Sequence, residues 1–272
     1  MSNLKTQLAQ KAQRGVGQGV TLNQLVKTEG VRKRFEELLG SKAPGFISSL
    51  LSVVNSNPQL RTMDPQKVLG AAAIAAAMDL PIDPNLGFAY IVPYKNQPQF
   101  QIGYKGYIQL AMRTGQYKTI NATHVYEGEI ESYNRITGEV VLSEDGPTSN
   151  KIVGYIAYFK LINGFEKYEY WTVDQVIAHA KRFSQSYGKS YSPWNTDFDA
   201  MATKTVLKSL LSKYGILSIE MQTAVKADQA VIHETEDGEP EFEYIDSTYT
   251  VHEDDEELPE AEEVPADEDA ES

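Results

Sequence analysis

The chain has 272 residues, 41% of them hydrophobic, which is enough for one large domain or two small ones with a buried core. It contains no cysteine, which excludes a disulfide framework and any zinc site built on cysteine thiolates. The formal net charge of −13 would argue against a nucleic-acid partner if the charges were evenly distributed.

The charges are segregated along the chain. All 25 lysines and arginines lie at or before Lys226, and 18 of the 38 acids lie at or before Glu220, so residues 1–227 carry 25 − 18 = +7. The other 20 acids lie between Asp228 and Glu271 and give that segment a charge of −20. Opposite signs in two parts of a chain are typical of a nucleic-acid or membrane-surface partner together with an acidic appendage.

The first part of the chain is predicted to be helical. Residues 1–20 are polar and glycine-containing, which predicts a flexible arm. Thr21 and Gln24 form a capping-box pattern that opens a short helix, and helical spacing of apolar residues predicts two more at about 31–39 and 45–55. Asp64 before Pro65 predicts the start of a fourth, alanine-rich helix that ends near Met78.

Two segments were candidates for a leader and a membrane anchor, and we expect neither to be one. The apolar run at 71–78 is too short to span a bilayer. Residues 1–14 lack the apolar core of a signal peptide. We therefore expect a soluble intracellular protein.

From residue 87 the period changes from helical to alternating. Strands are predicted at 88–94 and 100–102, joined by a turn at 95–98, and a helix follows at 104–114. Further strands are predicted near 118–126, 129–133, 138–143, 151–161 and 165–171. A capping box at Thr172 and Gln175 begins a helix that ends at Arg182, and a long helix covers residues 195–214.

These elements predict an α+β fold. N-terminal helices precede a central antiparallel sheet with a β-hairpin packed on helices, and C-terminal helices follow. Residues 21–227 form the predicted body. Acids dominate from residue 228 onward, so residues 228–272 are predicted to be a disordered tail, because such a segment buries too little apolar surface to offset its ordering entropy.

The chain lacks the motif of an ATP-driven recombinase. A P-loop needs a lysine after its second glycine, but in the nearest match, residues 40–45, Phe46 stands at that position. A nuclease is a weaker alternative, in which Glu127, Glu129 and Glu131 would share one strand face and hold Mg²⁺. A solvated strand face explains these three carboxylates better, and no catalytic residue is predicted.

Binding residues are more prominent than catalytic ones. Thirteen of the 16 tyrosines lie between Tyr90 and Tyr191, among basic residues. Cations neutralise phosphates and aromatic faces stack on bases, but tyrosine also favours strands, and most of these tyrosines are expected to be structural. The interspersed cations are Lys95, Lys105, Arg113, Lys118, Lys160, Lys181, Arg182 and Lys189.

The helix at 195–214 has the clearest cationic pattern. Lys204 and Lys208 are four residues apart and therefore share a face, on which they can follow a phosphate backbone or simply contact solvent. Lys213 points away from them. Lys181 and Arg182 end the preceding helix, where its dipole favours cations whatever the function.

Several of these segments resemble the RecT family of phage and prophage single-strand annealing proteins, which belongs to the wider Rad52-like group. The similar segments follow the same order and spacing over roughly residues 20–220, and the acidic tail lies outside them. They are Leu80–Tyr94, the Gly103-Tyr-Lys-Gly106 motif with its helix, Ser192-Pro-Trp-Asn195 and Met201–Val206.

The resemblance implies an ATP-independent recombinase that binds single-stranded DNA and anneals it to a complementary strand. It also implies ring or filament homo-oligomers in a bacterial cytoplasm, with a partner exonuclease and a host single-strand-binding protein. No cofactor is implied, and Mg²⁺ would serve only as a DNA counterion. The residues it favours for DNA contact are Tyr104, Lys105, Trp194, Lys204 and Thr205, while Gly103 and Gly106 are assigned to backbone geometry.

A passive single-strand coating protein is the main alternative, since it needs the same cations and aromatic rings. If the assignment is right, Lys105→Ala or Lys204→Ala lowers DNA affinity and flattens its salt dependence.

Overall fold

The computed structural model describes residues 20–184, 186–190, 192–228, 230–234 and 240–243. The predicted arm lies outside this range except for Val20. The N-terminal part is helical, as predicted, and consists of α1 (Leu22–Leu25), α2 (Glu29–Leu39), α3 (Ala43–Ser56) and α4 (Pro65–Ala77).

Helix α4 is the central core helix of this part. Its N-terminus is capped by Asp64, whose side chain accepts a hydrogen bond from the Gln66 amide at 2.9 Å. Every residue from Val68 to Ala76 is buried. Because most of these side chains are small, the helix lies close to the sheet beneath it, and a Cβ added to Gly70 would come within 3.0 Å of the Ile232 carbonyl.

The sheet beneath α4 has the antiparallel order β1-β2-β8-β9. Strands β1 and β2 form the predicted hairpin, whose turn residues Lys95 and Asn96 have positive φ angles of 45° and 61°, as in a tight two-residue turn. The remaining two strands come from the C-terminal end. The bounds are β1 (Ala89–Tyr94), β2 (Gln97–Ile102), β8 (Val231–Glu234) and β9 (Pro240–Glu243).

A second antiparallel sheet has the order β3-β6-β7, and a separate hairpin joins β4 to β5. The inner face of the second sheet carries the buried residues Tyr155, Ala157 and Phe159. The bounds are β3 (Tyr117–Tyr126), β4 (Ile130–Asn134), β5 (Glu139–Leu142), β6 (Ile152–Leu161) and β7 (Glu166–Thr172).

The remaining helices connect the two sheets. Helix α5 (Tyr104–Arg113) follows the hairpin and packs on α8 (Phe198–Tyr214), and α8 also packs against β3, β6 and β7. Helix α6 (Val173–Phe183) follows β7, and the short α7 (Pro193–Thr196) precedes α8. Helix α9 (Ile219–Ala227) packs on α4, α5 and β2 and leads into β8.

The α+β class is confirmed, and the predicted helices and strands agree with the observed ones to within a few residues. The antiparallel pairing, however, is divided among three sheets instead of one central sheet. Among the described residues, no helix is both long and apolar enough to cross a membrane.

The predicted boundary of the disordered tail was wrong. Asp228 is buried, and the segments 231–234 and 240–243 form β8 and β9. The composition-based expectation failed there because Val231 and Ile232 are fully or almost fully buried, and β8 pairs with β2 and packs under α4. The rest of the predicted tail lies outside the described residues.

The geometry assumed for the nuclease alternative was also wrong. Strand β3 ends at Tyr126 and β4 begins at Ile130, so Glu127 and Glu129 lie in the connecting turn and only Glu131 lies in a strand. Glu127 interacts with Ser149 and Lys151, and Glu129 accepts a hydrogen bond from the Tyr126 amide at 2.8 Å. The three carboxylates therefore do not share a strand face.

Candidate nucleic-acid interface

A groove of about 370 Å³ lies between α6 and α8. We call it the α6–α8 groove. Its walls carry aromatic side chains, its floor carries two lysines above a buried carboxylate, and hydroxyl groups line α8. The lining residues are Trp171, His179, Ala180, Phe183, Ser184, Trp194, Met201, Lys204, Thr205, Lys208, Ser209, Ser212 and Asp228.

Asp228 forms the floor of the groove and joins three elements. Its carboxylate accepts hydrogen bonds from the Nζ atoms of Lys204 at 3.0 Å and Lys208 at 2.8 Å. It also accepts one from the Ile102 amide at 3.1 Å and one from the Tyr107 hydroxyl at 3.3 Å. One side chain thus links β2, α5 and α8.

The charges on the floor do not cancel. The Asp228 and Lys204 side chains are 1% and 9% exposed, whereas Lys208 is 31% exposed. One carboxylate faces two ammonium groups, so the three charges sum to −1 + 2 = +1. Because a buried charge needs a nearby counter-charge, the surplus makes the groove attractive to an anion.

The titration of these groups follows from the same arrangement. Burial raises the pKa of Asp228, but the charges of Lys204 and Lys208 outweigh burial and lower this pKa to about 2. Burial lowers the pKa of Lys204, Asp228 opposes that shift, and the like charge of Lys208 adds to it. At neutral pH, Asp228 is therefore ionised.

Aromatic rings run along α6 on one side of the groove. The ring centroids of Trp171 and His179 are 5.2 Å apart, and those of His179 and Phe183 are 4.6 Å apart. Burial and the charges of Lys208 and Arg182 lower the pKa of His179, which keeps its imidazole neutral at neutral pH. These rings expose apolar faces beside a cationic floor.

Trp194 is held at the groove by the capping of the short helix α7. The Ser192 hydroxyl oxygen accepts a hydrogen bond from the Trp194 amide at 3.3 Å, and the Trp194 ring packs on Tyr187 and Phe198 at centroid distances of 6.2 and 5.7 Å. Next along the chain, the Asp197 side chain caps α8 by accepting from the Ala200 amide at 3.2 Å. This cap sets the start of the helix that carries both lysines.

A second carboxylate, Glu169 of β7, connects the sheet to α8 beside the groove. Its Oε1 atom accepts hydrogen bonds from the Trp171 indole at 2.9 Å, the Ser209 hydroxyl at 2.9 Å and Lys213 at 2.8 Å. Lys213 is therefore paired on another side of α8, away from Asp228, as its helical position predicted.

The glycines of the Gly103-Tyr-Lys-Gly106 motif are required for close backbone packing. A Cβ at Gly103 would lie 2.1 Å from the Gly87 carbonyl oxygen, and one at Gly106 would lie 2.3 Å from the Phe88 carbonyl oxygen. Gly103 has a φ angle of −83°, so it is needed for space and not for a left-handed conformation. This agrees with the backbone role that the sequence predicted for these glycines.

Four of the twelve predicted binding residues meet at the α6–α8 groove. They are Trp194, Lys204, Thr205 and Lys208. The exposed Lys181 and Arg182 lie at the end of α6, beside Phe183. The first two residues of α5 are the half-buried Tyr104, which packs against the core, and the exposed Lys105.

The other four predicted residues lie elsewhere. Lys95 is in the hairpin turn, with its Nζ 5.6 Å from the centre of the Tyr94 ring. The Arg113 guanidinium donates to the carbonyls of Met78 at 2.5 Å and Asp79 at 2.7 Å, which caps the end of α4. Lys118 is an exposed residue of β3, and Lys160 lies on β6.

Lys160 belongs to a surface that we call the β6–β7 face, formed by Tyr158, Lys160, Glu166 and Tyr168. The tyrosine rings stack with centroids 4.4 Å apart. Glu166 accepts hydrogen bonds from the Tyr158 hydroxyl at 2.7 Å and from Lys160 at 3.0 Å. Here one cation is matched by one carboxylate.

Sequence reasoning missed Asp228 and the aromatic row on α6. Asp228 was assigned to the tail because it is the first residue of the acid-rich run, although the apolar residues at 230–232 interrupt that run and indicate a strand. His179 and Phe183 are four residues apart on a capped helix, a spacing that indicates a shared face.

The α+β body carries a groove that combines surplus positive charge with exposed aromatic faces. This combination is typical of nucleic-acid-binding proteins. The model of the RecT family matches residues 44–244, which include the groove and strands β8 and β9. The chain therefore belongs to the RecT family of DNA-binding recombination proteins that anneal single strands, as its motifs predicted.

Two relatives give the extent of this similarity. The uncharacterised protein YqaK of Bacillus subtilis (strain 168) is 52% identical over 219 residues, which cover 79% of this chain and 76% of that protein. Protein RecT of Escherichia coli (strain K12) is 30% identical over 181 residues, which cover 63% of this chain and 66% of that protein.

Proposed function

We propose that this protein binds single-stranded DNA at the α6–α8 groove and anneals it to a complementary strand without ATP. The observation that carries the proposal is the surplus positive charge above Asp228, placed among aromatic rings in a member of the RecT family. Annealing is thermodynamically downhill, so the protein has only to neutralise two polyanions and present one strand to the other.

Lys208 is the residue that we assign to the DNA phosphate. It is partly exposed while Lys204 is buried, so a phosphate that approaches the groove meets Lys208 first. Its partner Asp228 already receives a second ammonium group, so Lys208 is not needed to neutralise that carboxylate. Neutralising a phosphate here releases counterions from the DNA and supplies affinity that does not depend on base sequence.

Exposed cations outside the groove offer further contacts to the DNA backbone. Lys181 and Arg182 adjoin its end at Phe183, and Lys105 and Lys118 are exposed and form no ion pair with any of the described residues. We assign them weaker contacts with phosphates. We assign no phosphate contact to Lys160 or Arg113, because both already have partners in the fold, and Lys95 is a secondary candidate.

We further propose that the protein works as a homo-oligomer, since successive subunits would align their grooves along one strand. A partner exonuclease would supply the single strands, and a host single-strand-binding protein would share them. No bound cofactor is proposed, and Mg²⁺ acts only as a counterion of DNA. The part of the chain that the structure describes contains no cluster of three or more histidine and acidic side chains arranged to hold a metal.

An annealing assay tests this proposal. Two complementary oligonucleotides, one with a fluorophore and one with a quencher, are mixed with and without the protein and without nucleotide. We expect faster pairing with protein. Slower pairing would favour the passive coating protein, and cleavage of the labelled strands with Mg²⁺ would favour the nuclease.

A further inference from the structure

We propose that the α6–α8 groove holds one unstacked nucleobase of the bound strand, with the neighbouring phosphate on Lys208. This inference rests on the proposed function and specifies how the strand enters the groove. The juxtaposition that carries it is a small, aromatic-walled groove with a surplus cation on its floor.

The size of the groove limits what it can hold. At about 370 Å³ it lies near the lower end of the range of ligand pockets, about 300–1,000 Å³. A continuous stack of bases does not fit such a volume. A single base and its adjoining sugar-phosphate are therefore the part of a DNA strand that this groove can accept.

The walls of the groove suit the face of a base. Trp171, His179 and Phe183 form an aromatic row in which His179 is neutral, and the Phe183 ring is 50% exposed. A nucleobase that leaves its stack in water loses contact with its neighbours, and an aromatic surface replaces that contact whatever the base.

The polar groups of the groove suit the edge of any base. The hydroxyls of Thr205 and Ser212 donate to the carbonyls of Met201 and Ser209, so their oxygen atoms remain available as acceptors. All four DNA bases carry at least one N–H donor on their pairing edge, so acceptors of this kind do not select among them.

Trp194 adds a further aromatic ring to the lining of the groove. The residue is 5% exposed, and its ring packs on Tyr187 and Phe198 at centroid distances of 6.2 and 5.7 Å. A ring held in this way offers apolar contact to a base whatever its identity.

A base bound in the groove affects how the strand pairs with its complement. A base held in the groove has its edge covered and cannot pair, whereas the flanking bases remain accessible to the second strand. Each subunit would therefore keep one base unpaired until the protein releases the strand. These unpaired bases would divide the bases that can pair into short groups.

The two tryptophans of the chain, Trp171 and Trp194, both line the groove, so intrinsic fluorescence reports directly on its occupancy. The probes are an oligo-dT strand and an abasic strand of equal length and charge, with binding followed independently by the anisotropy of an end label. We expect oligo-dT to quench the tryptophans, and the abasic strand to bind about tenfold more weakly without quenching.

The possible outcomes separate this inference from the proposed function. If both strands bind equally and neither changes the tryptophan emission, the base subsite is wrong while DNA binding stands. If neither strand binds and no annealing is observed, the proposed function itself fails. Single substitutions Trp171→Phe and Trp194→Phe then assign the quenching to one wall of the groove.

A matched pair of variants gives a second test. Phe183 and Phe165 are both partly exposed, at 50% and 44%, but only Phe183 lines the groove. We expect Phe183→Ala to weaken binding of oligo-dT about tenfold and to leave binding of the abasic strand unchanged, while Phe165→Ala changes neither. Equal effects of the two variants, or a Phe183→Ala loss that is the same for both strands, would overturn the inference.

Discussion

The α6–α8 groove and the β6–β7 face both place lysine beside aromatic rings, yet their charge balance differs. On the β6–β7 face, Glu166 pairs with Lys160 at 3.0 Å, and the surface is locally neutral. In the groove, Lys204 and Lys208 share one carboxylate, Asp228, and one positive charge remains.

We therefore choose the groove over the β6–β7 face as the DNA site because of its local charge balance, and not because of its density of lysine and tyrosine. Lys160 and Lys208 are similarly exposed, at 35% and 31%, and their Nζ atoms lie 3.0 and 2.8 Å from carboxylate oxygens. Only Lys208 shares its carboxylate with a second lysine. The two lysines therefore form a matched pair for experiments.

The largest expected effect is that of Asp228→Asn on stability. Removing this carboxylate leaves the buried Lys204 without a counter-charge, and breaking a buried ion pair costs about 3–5 kcal/mol. Glu166→Gln on the β6–β7 face should cost much less, because that pair is exposed to solvent, which screens its charges. Urea unfolding curves of both variants measure the comparison, and equal losses would remove the distinction between the two regions.

The pH dependence of stability is the next largest effect. The pKa of Asp228 is about 2 in the folded protein, below the value of 3.8 that is ordinary for an aspartate carboxyl. The ionised form of Asp228 therefore stabilises the fold above about pH 4. This stabilisation, about 2 kcal/mol, is lost as the pH falls from about 4 towards 2.

Asp228→Asn cannot lose this stabilisation, since it has no carboxyl to protonate. The difference in unfolding free energy between parent and variant should therefore shrink as the pH falls from 5 to 2. Denaturant titrations at several pH values measure it, and a difference that stays constant with pH would contradict the ionised, lysine-paired state of Asp228.

A smaller effect is expected for Lys208→Met on DNA affinity. Losing one phosphate contact should weaken binding of single-stranded DNA about tenfold and reduce the slope of log K against log salt by about 1. The matched control Lys160→Met should leave both quantities close to those of the parent, because Glu166 already neutralises Lys160. The slopes come from fluorescence anisotropy titrations at several salt concentrations, and equal slopes for the two variants would refute our choice of the groove.

The smallest expected effect is that of Lys105→Ala. Its side chain is exposed at the start of α5, so a phosphate contact there is screened by solvent, and we expect about a threefold loss of affinity with little change in stability. Lys204→Ala is a poorer test of DNA contact, since Lys204 is buried against Asp228 and its removal alters the fold as well. A Lys105→Ala protein that binds like the parent throughout a salt titration would remove Lys105 from the interface.

Local sequence patterns were sufficient for most of the secondary structure and for part of the site. Capping boxes at Thr21 and Thr172 and the alternation in β1 and β6 depend on neighbouring residues alone, so they are visible without a fold. The spacing of Lys204 and Lys208 placed both on one face of α8, and the family resemblance singled out Trp194, but only the structure brings that ring to the same groove.

The ion pairs of these lysines depend on the packing of distant segments. Asp228 is 24 residues from Lys204 and 126 from Ile102 along the chain, so no local period connects them. Composition assigned Asp228 to an acidic tail, whereas burial of Val231 and Ile232 draws the chain back under α4 and brings the carboxylate to the lysines. Short-range spacing was enough to predict the elements as far as α8 and to locate the cations, but it did not predict α9, β8 or β9. The fold determined which cations are neutralised, because that depends on contacts between distant residues.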